Sequence, residues 1–124
     1  MSKVVLFVDD SLTQRQVMCD VIREAGYEVL EAEDGLDALE VLAKAEGKVN
    51  LIVSDVNMPN MGGLEFVQAY KQNDAWKHIP VIMLTTESGD SMKQQGLAIG
   101  VRAWATKPCA PEKLLKAVSK MLAD

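Results

Sequence analysis

Four continuous apolar runs, each ending on a residue that carries chemistry, constrain this chain more than any other feature. Val4-Val5-Leu6-Phe7-Val8 leads straight into Asp9-Asp10, and Leu51-Ile52-Val53-Ser54 ends on Asp55. Val81-Ile82-Met83-Leu84 ends on Thr85, and the run from Val101 to Thr106 ends on Lys107-Pro108. Strands buried on both faces read as unbroken apolar runs, because neither face meets water. Open α/β sheets bind ligands beyond the carboxyl ends of such strands. One rim is therefore expected to gather three acids, a hydroxyl and a cation, a set suited to a divalent metal and a phosphoryl group.

Strand-like and helix-like stretches alternate five times, the pattern of a parallel α/β sheet. Ser11 is expected to cap the first helix, with Gln14 completing a capping box. Met18, Val21, Ile22 and Ala25 recur at helical spacing, and Gly26 ends the helix. A second strand is expected from about Tyr27 to Ala32. Ala38, Leu39 and Leu42 mark the next helix, and Gly63, Phe66, Val67 and Tyr70 the third. Pro111 opens the last and clearest helix, whose stripe is Leu114, Leu115, Val118, Met121 and Leu122. The fourth helix, about Ser88 to Ile99, is the weak one. It contains Gly89 and Gly96, its stripe of Met92 and Ile99 is thin, and interior glycine costs about 1 kcal/mol relative to alanine. It is expected to be easier to displace than its neighbours.

Right-handed crossovers leave chiefly the flavodoxin-like and Rossmann sheet orders. With no Gly-x-Gly-x-x-Gly loop after the first strand, five βα units lean toward the flavodoxin-like α/β fold. No linker or repeat interrupts the 124 residues, so one domain over residues 1–124 is expected. A net charge of −5 argues against general nucleic-acid binding. No apolar stretch approaches the ~18 residues of a membrane span, and the N-terminus does not read as a signal peptide. Cys19 and Cys109 form no Cys-x-x-Cys pair or Cys/His cluster, so two reduced thiols in a cytoplasmic protein are expected. His78, beside Trp76 and Lys77, reads as a solvated loop residue, and the seven methionines as core filler.

Like charges about 4 Å apart repel by roughly 4 kcal/mol at an effective dielectric near 20. Asp9, Asp10 and Asp55 on one rim thus need a cation or must protonate. Lys107 offsets one charge, and a hard divalent ion would offset more. Oxygen-only ligands point to Mg²⁺, with Mn²⁺ as the alternative. Asp55 is the candidate nucleophile, because a carboxylate can attack phosphorus once the transferred oxygens are neutralised. Thr85 would then bond the new phosphoryl group, Lys107 would pair with it, and the Asn57 carbonyl would complete the metal shell.

Asp9-Asp10, the segment Asp55-Val-Asn-Met-Pro-Asn-Met-Gly-Gly63, Thr85 and Lys107-Pro108 together resemble the receiver domain of bacterial two-component response regulators. The resemblance covers essentially the whole chain. With nothing following Lys120 to Asp124, it is to the stand-alone receivers of the chemotaxis type. It implies a flavodoxin-like (βα)5 fold with sheet order 2-1-3-4-5 and Mg²⁺-dependent phosphoryl transfer from a histidine kinase to Asp55. Asp10, Asp55 and the Asn57 carbonyl would bind the metal directly and Asp9 mostly through water. Thr85 and Trp104 would form the switch, and Asn57 and Glu87 would control the hydrolytic water. No substrate beyond the protein's own aspartate is implied. The partners implied are a chemotaxis-type kinase, a flagellar motor switch or another output protein, and a phosphatase, with no nucleic acid or membrane. Stand-alone receivers also serve phosphorelays and developmental control.

Period-two spacing sets Trp104 with Arg102 and Thr106, opposite Val101, Ala103 and Ala105, so a partly exposed ring is expected. Several positions depart from the family pattern. Thr86 stands where Ala or Gly is usual, Cys109 where Phe is frequent, and Trp104 where Tyr or Phe is commoner. Gly89 and Asp90 replace lysines of the motor-binding type, and the last helix offers mainly Lys116 and Lys120. Two other classes fit less well. Phosphatases of the haloacid-dehalogenase type need a second acid where Asn57 stands, and a flavodoxin needs a phosphate loop where Asp9-Asp10-Ser11 would repel it.

Overall fold

The computed structural model describes residues 2–46, 48–86, 90–101 and 103–123, with the side chains of Asp90 and Ser91 outside that description. Five strands alternate with five helices. In chain order they are β1 Val4–Val8, α1 Leu12–Glu24, β2 Glu28–Ala32, α2 Gly35–Lys44, β3 Leu51–Asp55, α3 Gly63–Lys71, β4 Val81–Thr85, α4 Asp90–Ala98, β5 Ala103–Thr106 and α5 Pro111–Leu122. The strands form one parallel sheet in the order β2-β1-β3-β4-β5. This is the expected flavodoxin-like order. Every residue of β1, β3 and β4 is buried, as their unbroken apolar runs require.

Successive strand residues face opposite sides of a sheet, and two cores result. Leu6, Val8, Ile52 and Met83 pack with Ala38 and Leu42 of α2 and Phe66, Val67 and Tyr70 of α3. Val5, Phe7, Val53 and Leu84 pack with Met18, Cys19 and Ile22 of α1 and Leu114 and Val118 of α5. Helix ends follow local chemistry. Asp34 caps α2 by accepting from the Asp37 N–H at 2.8 Å, and Pro111 starts α5. Gly26, at φ 99°, lets the chain leave α1.

One strand boundary differs from the sequence reading. β5 begins at Ala103 and not at Val101. The Val101 N–H donates to the Gly96 carbonyl at 2.8 Å and the Gly100 N–H to the Leu97 carbonyl at 3.2 Å, with Gly100 at φ 101°. That pair of bonds is a Schellman motif, so Val101 belongs to the exit turn of α4. Its side chain therefore shares a core with Trp104, while Ala103 and Ala105 pack on the opposite face. α4 is described over Asp90–Ala98, and the expected start at Ser88, with Gly89 and Arg102, lies outside the described residues. Among the described residues, no helix is long and apolar enough to cross a membrane.

Candidate functional site

Parallel register brings the strand ends to one rim. Val8 pairs with Ser54 and Asp55 with Leu84, so the residues after the last apolar positions emerge side by side. Asp9, Asp55 and Thr85 are buried and Asp10 is exposed. One oxygen from each of Asp9, Asp10 and Asp55 lies within 4.8 Å of the others. Lys107 enters from beyond β5, its backbone N–H donating to the Thr85 carbonyl at 2.8 Å. Its Nζ donates to Asp55 Oδ2 at 2.7 Å and to Gln14 Oε1 at 3.3 Å, and lies 3.8 Å from Asp9 Oδ2. The Lys107-Pro108 peptide bond is cis.

A single ammonium cannot balance three carboxylates, and Asp9 records the shortfall. Its Oδ1 accepts from the Ser11 N–H at 2.9 Å, whereas its buried Oδ2 has no hydrogen-bond partner among the described residues. Burial pushes the Asp9 carboxyl above its ordinary value; the Ser11 N–H and Lys107 oppose this, and Asp55 and Asp10 reinforce it. An unmatched buried acceptor costs about 1–3 kcal/mol, more when charged. A hard cation would relieve it. The donors are carboxylate oxygens with no His or Cys among them, so the set fits Mg²⁺ or Mn²⁺.

Asp55 is itself fixed from behind. Its Oδ1 accepts from the Val56 N–H at 2.9 Å. The Val56 carbonyl accepts from the Gly63 N–H at 2.8 Å, tying the loop after β3 to the start of α3. A Cβ at Gly63 would overlap the Asp55 carbonyl and crowd Met83, so only glycine lets α3 begin this close to Asp55. Asn57 is exposed on that loop and, with Asp10, lines an open groove of about 720 Å³ whose other walls include Met58, Pro59, Met92 and Gln95.

Thr85 and Trp104 both turn toward α4. The Thr85 hydroxyl donates to Met92 Sδ at 3.6 Å. The Trp104 ring is half-buried, as expected, but it packs against the core that contains Val101 and not on the face opposite it. A Cβ at Gly96 would overlap that ring, so Gly96 is its seat. Glu87 lies outside the described residues, and Thr86 is exposed.

Gln14 was legible in the sequence only as half of a capping box. Its N–H does donate to Ser11 Oγ, at 3.3 Å. The side chain instead accepts from Lys107, and the Ser11 N–H goes to Asp9, so the box is half made. No sequence signal could link Gln14 to a residue 93 positions away.

A parallel sheet in this order, with an acid triad and a lysine at its carboxyl rim, defines a receiver domain. The chain belongs to the response regulator receiver domain family, whose model matches residues 5–119. Chemotaxis protein CheY1 of Helicobacter pylori is 40% identical over 119 residues, 94% of each chain. The CheY homolog of Campylobacter jejuni is 36% identical over 118 residues, covering 94% of this chain and 90% of its own. The structure of chemotaxis protein CheY4 from Vibrio cholerae is similar at a TM-score of 0.92 with 44% identity, spanning 98% of this chain and 100% of that one.

Proposed function

We propose that residues 1–124 act as one cytoplasmic receiver that takes a phosphoryl group on Asp55 and thereby changes partner affinity, in chemotaxis signalling. The observation that carries this is the 2.7 Å contact of Lys107 Nζ with Asp55 Oδ2 inside a cluster of three acids. An Asp55 oxygen attacks the phosphorus of a kinase phosphohistidine. The P–N bond breaks, the imidazole leaves with its electron pair and takes a proton, and an acyl phosphate remains on Asp55. Lys107 holds the nucleophile before the reaction and pairs with a phosphoryl oxygen after it, supplying charge where charge develops. Asp9, Asp10, Asp55 and the Asn57 carbonyl would hold Mg²⁺, which when bound neutralises the transferred oxygens.

In the product, the Thr85 hydroxyl leaves Met92 for the phosphoryl group. Trp104 and α4 follow, altering the face formed by α4, β5 and α5. The output protein reads this face; a flagellar switch is one such partner, to which α5 offers the exposed Lys113, Lys116 and Lys120. Asn57 and Glu87 match the family positions that control the water returning Asp55 to its free form, with or without a phosphatase.

The test is direct. Incubation with Mg²⁺ and a small acyl phosphate should add one phosphoryl mass to the chain, and Asp55→Asn should add none. Undiminished labelling of that variant would refute the assignment.

A further inference from the structure

Outside the acid set, α1 sends a second side chain toward the rim. Arg15 Nη1 donates to the backbone carbonyl of Asp9 at 2.6 Å, and its Nε donates to Glu31 Oε1 on β2 at 3.0 Å. Glu31 Oε2 in turn accepts from Arg23 Nη2 at 2.9 Å, which also donates to the Val29 carbonyl at 3.2 Å. The Asp9 N–H is bonded to the Ala32 carbonyl at 3.0 Å. The peptide groups on both sides of Asp9 are thus anchored, one by the edge strand and one by a guanidinium whose side chain is only 14% exposed. Burial alone would raise the Glu31 carboxyl, yet its bonds to Arg23 and Arg15 hold it below its ordinary value, so the bridge is charged on both sides.

We infer that Arg15 is a positioning residue for the acid pocket: by gripping the Asp9 carbonyl from a Glu31-Arg23 abutment, it sets how tightly Asp9 and Asp10 hold a divalent cation. This rests on the metal reading above and deepens it. Three carboxylates repel one another, and the Asp9-Asp10 turn would relax outward without an opposing tie. Arginine suits the task because its planar fork donates to a carbonyl and a carboxylate at once, which a lysine ammonium does with less fixed geometry. Groups that orient metal ligands from behind typically govern about 10- to 100-fold of metal affinity.

The experiment titrates Mg²⁺ alone into the folded full chain by calorimetry, for the wild type, Arg15→Met and Glu31→Gln. Arg15→Met is expected to raise the Mg²⁺ Kd about tenfold, and Glu31→Gln to raise it less, in the same direction. The Mg²⁺ concentration giving half-maximal labelling by a small acyl phosphate should rise in parallel. The labelling rate at saturating Mg²⁺ should stay within about twofold of wild type, as for a loss of uniform binding. A brace that serves only folding would lower Tm and leave the Kd unchanged, and that result overturns the inference. Should Arg15→Met fail to fold, an unchanged Kd in Glu31→Gln overturns it equally. A wild-type chain that binds no Mg²⁺ would instead bring down the metal reading itself.

Discussion

Asp9 holds a charge that its surroundings only partly support. Its folded carboxyl is raised above the ordinary 3.8, chiefly by burial. Above that value the unfolded chain is ionised while the folded chain retains the proton longer. The folded state therefore binds more protons, and stability falls as pH rises through the window from 3.8 upward. Asp9→Asn keeps an oxygen for the Ser11 N–H and removes the charge. Without metal, thermal unfolding at neutral pH should show this variant more stable than wild type by about 1–2 kcal/mol. The gain should vanish as pH falls below 3.8, where Asp9 is protonated in the folded and the unfolded wild type alike. An acid that weakens its own fold is understandable where charge is needed for a site.

At the scale of elements, α4 and β5 are joined through a missing methyl group. Gly96 looks like a defect in the sequence, costing about 1 kcal/mol of helix propensity. In the structure it is the slot that receives Trp104, bordered by Val101. The ring and the gap explain each other: a larger aromatic than is common in the family faces a helix position with no side chain. Gly96→Ala should destabilise the wild-type chain, because overpacking costs about 1–3 kcal/mol and outweighs the propensity gain. In a Trp104→Ala background the same change should stabilise by about 1 kcal/mol. Denaturant unfolding of the four chains measures both, and equal signs in the two backgrounds would show that the ring does not occupy the slot.

Across the whole molecule, the proposed metal binding would be linked to folding, since the acid cluster exists only when β1 and β3 pair. A ligand that binds only the folded chain stabilises it by about 2.7 kcal/mol at one hundred times its Kd. Added Mg²⁺ should therefore raise Tm in proportion to the logarithm of its concentration. Asp10→Asn should remove most of that rise, although exposed Asp10 contributes little to the fold itself. A Tm indifferent to Mg²⁺ in the wild type would contradict the linkage.

Strands β1, β3 and β4, their burial and the acids that follow β1 and end β3 were legible in the chain, whereas the start of β5 was not. Burial on both faces demands unbroken apolar runs, and a polar residue that ends such a run must emerge at the rim. Both ends of α1 and the start of α5 were legible too, because caps, glycine exits and an opening proline act within a few residues. The transfer of Val101 to the α4 turn follows from a local glycine exit at Gly100 that the apolar run concealed. Arg15 on the Asp9 carbonyl, Gln14 on Lys107 and Gly96 beneath Trp104 were decided only by the tertiary structure. Each depends on which segments the sheet order sets side by side, and on how long side chains settle there. Local spacing carries no record of contacts made between distant parts of the chain.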